Sequence, residues 1–263
     1  MPQPASTRIH PIAAFRAMRN LTRNREDTRQ VFLLMEALRG KTTLRQFARF
    51  CRSESGRAML AERRSLLARL GDRPSLAALP QGSLGRAYYD FMASENLSAE
   101  GLVEASKIRP APATVDDVTW FRERNREMHD LLHVTAGYGR DPLGEASVVA
   151  FSFAQTGQKG FAVIATVAAL RIARRLRGEP VLRAVFEAYR QGRRAAWLIG
   201  ADWEALLDRP LEAIRAQFRV SRPVLYPQIL PALQRAIAAA ANGTAGREHS
   251  PGGDSRAAAP ETI

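Results

Sequence analysis

Two histidines four residues apart, His129 and His133, and a glutamate reached after eleven intervening residues, Glu145, are the part of this sequence best equipped for chemistry. At that spacing two imidazoles project from one face of a helix, one turn above the other. The intervening stretch holds Gly137, Gly139, Pro142 and Gly144. These turn formers let the chain fold back and bring Glu145 beside the histidines. Two imidazoles and a returning carboxylate can ligate one divalent metal. The chain has four histidines in all, His10, His129, His133 and His249, so half of them stand at ligand spacing beside an acid. A lone buried histidine would read as structural; the pair with a returning carboxylate reads as a metal site.

Asp130 has three readings. It lies about 100° around an ideal helix from His129, so it becomes a ligand only where the helix end is distorted. It matches in position the general base of zinc peptidases carrying HExxH, although an aspartate is one methylene shorter and weakens a hydrolase reading. It also suits an outer acceptor that orients an imidazole. Imidazole and carboxylate donors accept zinc, iron, cobalt or manganese, with zinc the leading expectation. Two histidines and a carboxylate also form the ligand set of non-haem iron oxygenases, which usually stand on β-scaffolds, and little strand pattern is visible here.

The elements that must position these residues read as helices from end to end. The pattern predicts a helix over 27–38, stopped by Gly40, and one capped by Thr43 with Leu44, Phe47 and Cys51 on its stripe. A third is predicted over 55–70, ending at Gly71. Residues 74–82 read as a connector and 84–94 as a further helix. After the break at Pro110-Ala111-Pro112, Thr114 caps the motif helix, with Asp117 in its first turn. Phe121, Asn125, His129, Leu132 and His133 fall near one inward face. Asp141 followed by Pro142 reads as a cap and first helical position, which places Glu145 in the next first turn. Residues 148–153 have strand propensity but helical neighbours. The most hydrophobic helix spans 161–177, and two more follow at 181–199 and 210–218. Trp197 and Trp203 read as core. The expectation is an all-α fold, one multi-helix domain over 1–240, and a disordered tail over 241–263 rich in Gly, Ser, Pro and Ala.

Composition narrows the function classes. Apolar residues make up 46% of the chain, enough for a real core. A single cysteine, Cys51, suits a reducing compartment and excludes a cysteine-rich zinc site. The net charge of +13 comes almost wholly from arginine. Nucleic acid, an anionic membrane surface and an arginine-biased coding sequence each explain it. The arginines are dispersed in pairs and singles and no recognition module is present, so nucleic acid is not expected as a partner. No apolar run approaches the roughly 20 residues that span a bilayer; the longest, 161–170, is half that. The arginine-bearing amino terminus reads as a basic first helix in preference to a transit peptide. The 161–177 helix reads equally well as a core helix and as a surface against lipid, its terminal Arg171, Arg174, Arg175 and Arg177 meeting head groups or a substrate carboxylate.

His129-Asp130-x-x-His133, eleven residues, then Glu145 resembles the metal signature of the coenzyme Q biosynthesis protein 4 family, with no departure inside the motif. The resemblance extends to Glu26-Asp27-Thr28, Gly82-Ser83-Leu84-Gly85-Arg86, Phe153-Ala154-Gln155-Thr156-Gly157, and Gly192 with Ala196 and Trp203-Glu204. It covers residues from about 10 to 222 and leaves the tail out. It implies an all-helical protein of ubiquinone synthesis that replaces the ring carboxyl of a polyprenylated 4-hydroxybenzoate-type precursor by a hydroxyl. It implies metal ligands at His129, Asp130, His133 and Glu145, with Asp130 the residue to which a catalytic role is assigned. It also implies isoprenoid-lipid binding, association with other ubiquinone-pathway proteins, and a peripheral seat on the cytoplasmic face of a bacterial inner membrane, or the matrix side in a mitochondrion. A homodimer is compatible with it. The rival expectation is a non-catalytic lipid-binding scaffold with a structural metal; a metallohydrolase is the weaker third.

Overall fold

The computed structural model describes residues 9–23, 28–38, 40–94 and 116–245. The fold is all-α. Among the described residues there is no strand, and the one β-type contact is an isolated bridge between Ser83 and Pro210. The helices are α1 Pro11–Arg23, α2 Thr28–Ala37, α3 Thr42–Phe50, α4 Glu54–Ala61, α5 Leu66–Gly71, α6 Arg73–Ala77 and α7 Leu84–Ser94. They continue with α8 Asp117–Glu127, α9 His129–Ala136, α10 Pro142–Thr156, α11 Lys159–Arg175 and α12 Val181–Arg194. A 3-10 turn at Leu198–Gly200, α13 Trp203–Leu206, α14 Leu211–Phe218 and α15 Leu225–Ala245 complete the order.

Helix α10 is the centre. Asp141 caps it, its Oδ1 accepting from the Leu143 and Gly144 amides at 3.0 Å each, and Pro142 fills the first turn. Leu143, Val148 and Phe151 on it are fully buried, and so is Ser147. A helix covered on every side needs no polar face. That is why the β-branched run over 148–153 stays helical: α11 and α12 enclose it. Helices α1 and α2 pair and rest on α11 through a separate small cluster of Ala14, Ala17, Leu34 and Ala37 against Val163 and Ile164.

Several predicted boundaries move. The 55–70 helix is two helices, because Arg63 takes a left-handed φ of 50° and Ser65 caps α5 by accepting from the Ala68 amide. The 74–82 connector begins inside a short helix, α6, which Asp72 caps through Ser75. Helix α3 starts at Thr42; Thr43 is not its cap but lies buried in the first turn, and the inward stripe is Thr43, Phe47 and Phe50, while Leu44 is exposed. The Thr114 cap lies outside the described residues, and Asp116 caps α8 by accepting from the Thr119 amide. Helix α12 stops at Arg194, where Ala195 turns extended, so 195–199 is not helical in the predicted sense. No element was predicted over 225–240, yet α15 occupies it and runs on to Ala245. The tail expectation for 241–263 therefore begins too early, and its remainder, 246–263, lies outside the described residues. Trp203 is fully buried, whereas Trp197 is half-buried and donates its indole N–H to Gln46.

Candidate metal centre

The motif helix is not continuous. It breaks at Met128, whose ψ of −3° ends α8 and lets α9 start afresh at His129. The break puts His129 and Asp130 in a first turn, the distorted helix end that a ligand role for Asp130 requires. Gly137 ends α9 in the left-handed region at φ 82°, which favours a residue without a Cβ. The terminal carbonyls of α9 are then taken up from outside. Arg215 of α14, itself buried, donates Nε to Thr135 O and Nη2 to Val134 O, both at 2.9 Å. Gln191 of α12 donates to Ala136 O at 3.2 Å. A guanidinium at a helix carboxyl terminus meets both the orphan carbonyls and the dipole.

The histidine side chains follow from that frame. His133 is fully buried; its Nδ1 lies 3.0 Å from Gly139 O and 3.2 Å from Tyr138 O. Both partners are carbonyls, which only accept, so Nδ1 carries the proton and Nε2 presents a lone pair. Nε2 is buried, makes no hydrogen bond, and faces Glu145 Oε2 at 3.4 Å, longer than an N–H···O bond. Two acceptors thus confront each other, the imidazole nitrogen buried and the carboxylate at the open edge. The His129 ring stands edge-on to His133 at 4.9 Å, and Phe91 of α7 stacks on His133 at 5.7 Å.

The carboxylates are prepared by their neighbours. Burial pushes Asp130 up, but contact with His129 and the charges of His129 and Arg140 outweigh it and hold the group below the usual carboxylate range. Glu145 is also raised by burial and brought below its ordinary value by the positive side chains beside it, Arg140 among them. Arg140 donates to Asp130 at 3.0 Å and lies 4.0 Å from Glu145, a cation between two anions. Candidate ligand atoms of His129, Asp130 and His133 all lie within 4.8 Å of one another. Three of the four predicted residues therefore cluster, and Glu145 lies outside that cluster and approaches it through His133, at 3.4 Å. A buried, unpartnered imidazole nitrogen opposite an ionised carboxylate is the donor set a divalent cation fits, and the bonded Nδ1–H is the outer contact that orients a metal-ligating imidazole. Arg140, Phe91, Gln191 and Arg215 escaped the sequence reading. A cation inside a metal motif was a usable signal for Arg140, whereas nothing near Arg215 or Gln191 marks them.

Gly144 shows how closely the return is packed. A Cβ there would stand 2.0 Å from the Gly139 carbonyl oxygen, the same oxygen that holds His133. Gly144→Ala is expected to cost about 1–3 kcal/mol from overpacking, at the upper end because the clash is with backbone. Urea denaturation should show that loss, and metal content should fall with it.

The model of the family described as coenzyme Q (ubiquinone) biosynthesis protein Coq4 matches residues 8–224. Curated relatives include the mitochondrial ubiquinone biosynthesis protein COQ4 homologs of Rattus norvegicus, 31% identical over 74% of this chain and 73% of its own, and of Homo sapiens, 28% identical over the same shares. The crystal structure of a protein from Nostoc punctiforme PCC 73102 assigned to ubiquinone biosynthesis superposes with a TM-score of 0.59 over 81% of this chain and all of its own; at 22% identity it speaks for the fold alone. A family match that begins before α1 and runs past α14, enclosing His129, Asp130, His133 and Glu145, leaves one conclusion: the chain belongs to the coenzyme Q (ubiquinone) biosynthesis protein Coq4 family.

Proposed function

We propose that this chain binds one divalent metal through His129, His133, Glu145 and Asp130, and replaces the ring carboxyl of a polyprenylated 4-hydroxybenzoate-type precursor by a hydroxyl at a membrane surface, with dioxygen and a two-electron donor as co-reactants: the carboxyl leaves as carbon dioxide, one oxygen atom becomes the ring hydroxyl and the other leaves as water. The observation that carries the metal is the buried, unpartnered Nε2 of His133 facing the Glu145 carboxylate. A bound divalent ion supplies Lewis-acid stabilisation of the negative charge on a ring phenolate or carboxylate. The chain's own groups do the rest. Arg140, about a third exposed, offers a guanidinium to a substrate carboxylate at the rim. Phe91 walls the site with an aromatic face suited to a ring. Asp130, ionised and in contact with His129, completes the ligand set and is the acceptor available for a proton. The test is product formation by purified protein loaded with one metal at a time. Mass spectrometry should find the prenylated ring minus its carboxyl and plus a hydroxyl with the wild type and not with Glu145→Gln. No product with any of zinc, iron, cobalt or manganese would sink the enzyme reading.

The membrane part of the proposal rests on a different face from the one the sequence suggested. Among the described residues no helix is long and apolar enough to cross a membrane. In α11, Ala165, Ala169 and Ile172 are buried, most of the remaining apolar stretch is half-buried against α10, α12 and α2, and Leu170 is exposed. Ile12 and Phe15 of α1 are 71% and 68% exposed, and Ile12 lines an open groove of about 850 Å³ together with Ile9, Ala17 and Leu33 and the polar Arg16 and Glu36. Arg16 and Arg19 lie on the exposed surface of the same helix. Apolar side chains beside arginines suit the interface of an anionic bilayer on the cytoplasmic or matrix side. Co-sedimentation with anionic vesicles should fall several-fold for the double variant Ile12→Glu, Phe15→Glu and hold for Leu170→Glu. The reverse ranking would move the surface back to α11.

A further inference from the structure

The family match ends at residue 224, two residues short of a side chain that touches both arms of the metal centre. Tyr226 stands in the first turn of α15 and is buried, its ring edge-on to Tyr138 at 5.3 Å. Its hydroxyl oxygen accepts from the Gly139 amide at 3.0 Å, and the hydroxyl donates to Asp141 Oδ2. Those two partners are not arbitrary. The Gly139 N–H belongs to the peptide whose carbonyl, Tyr138 O, lies 3.2 Å from His133 Nδ1, and the carbonyl of Gly139 itself lies 3.0 Å from the same nitrogen. Asp141, through its other oxygen, caps the helix that carries Glu145 in its first turn. One hydroxyl therefore joins the peptide that orients His133 to the cap that aims Glu145. The packing allows no slack on the Gly139 side, because a Cβ at Gly139 would stand 2.7 Å from the Tyr226 oxygen. Helix α15 is held in turn by Glu187 of α12, whose carboxylate accepts from the Val224 and Leu225 amides at 3.0 and 2.9 Å.

We infer that Tyr226 is a positioning residue of the metal centre: its hydroxyl clamps the loop behind His133 to the cap of the Glu145 helix and so fixes the distance between the two donors. The inference rests on the metal-centre reading for its ligand but concerns a contact that neither the motif nor the family match contains. Removing the hydroxyl leaves the Tyr138 packing intact, so Tyr226→Phe should fold. It frees the Gly139 peptide to tilt, which releases the His133 tautomer and lets Glu145 drift.

The experiment uses the full chain, stripped of metal and titrated with cobalt(II), alongside Ile229→Val, which deletes one buried carbon from the same helix without touching the loop. Tyr226→Phe should bind cobalt about 10–100-fold more weakly, the range expected when an outer partner of a ligand is lost, and should shift the visible cobalt absorption. Ile229→Val should bind as the wild type does. Nitrogen-15 NMR of the metal-free proteins supplies a readout that needs no metal: His133 should be a single Nδ1–H tautomer in the wild type and an averaged pair in Tyr226→Phe. Unchanged affinity, spectrum and tautomer in Tyr226→Phe would overturn the inference. So would an equal loss in Ile229→Val, which would mark the effect as general destabilisation. A wild type that takes up no cobalt would overturn the metal-centre reading instead, and the tautomer comparison would then decide the positioning role by itself.

Discussion

Protein purified without chelator should carry about one divalent ion per chain, and His133→Ala should carry almost none. The reasoning is local. Of the four candidate ligands, His133 is the one described with a buried side-chain atom that has no hydrogen-bond partner, its Nε2. Its loss removes a ligand and leaves Glu145 and Asp130 with Arg140 and His129 as their neighbours. Because losing an outer contact already costs about 10–100-fold in affinity, losing the imidazole should cost more than about a hundredfold. A metal bound only by the folded state also stabilises that state. At a hundredfold excess over Kd the gain is about 2.7 kcal/mol, which for a chain of this size raises Tm by roughly 5–10 °C. Chelation should lower the wild-type Tm by that amount and leave His133→Ala unmoved. Elemental analysis and a thermal scan check both halves. Full metal retention in His133→Ala would discard the assigned ligands. Binding should also weaken as pH falls, because protons compete with the ion for the imidazole lone pairs.

The candidate ligands are legible in the sequence and their supports are not, and the reason is range. His129, His133 and Glu145 lie within one turn and one return of each other, so spacing alone places them. The Asp141-Pro142 cap is equally local, and it stands as the spacing predicts. What holds the frame is not local. Arg215 reaches Thr135 across 80 positions and Gln191 reaches Ala136 across 55, and neither pairing leaves a periodic trace. Helix α15 was unreadable for a different reason: Pro223, Pro227 and Pro231 break its pattern as read along the chain. In the fold, Glu187 caps its start and Pro231 is accommodated within it. The break at Met128 carries no glycine or proline, so the predicted motif helix was drawn straight through it. Whether α11 is a core helix or a lipid-facing one is equally open from sequence, because hydropathy does not distinguish surface that is buried by neighbours from surface left open.

The second large effect is expected in cells. A strain lacking this protein should make little ubiquinone and accumulate a prenylated ring that still bears its carboxyl, and wild-type protein should reverse both. His129→Ala and Glu145→Ala should fail to do so while being present at normal levels. Glu145 is the sharper probe. Its side chain is more than a third exposed on the open edge of the site, so removing it should disturb the core little. Its Oε2 is nonetheless the group that confronts His133 Nε2. Arg140→Met adds a graded case. If the guanidinium receives the substrate carboxylate, this variant should keep its metal and still accumulate the carboxylated ring, whereas a purely electrostatic support for Asp130 would show as metal loss. Extracted quinones measured beside metal content of the recovered protein separate the two. Restoration of ubiquinone by Glu145→Ala protein that has lost its metal would remove catalysis from the site and leave the scaffold reading. Normal ubiquinone in the deletion strain, with no second copy of the gene, would break the link between family membership and function for this chain.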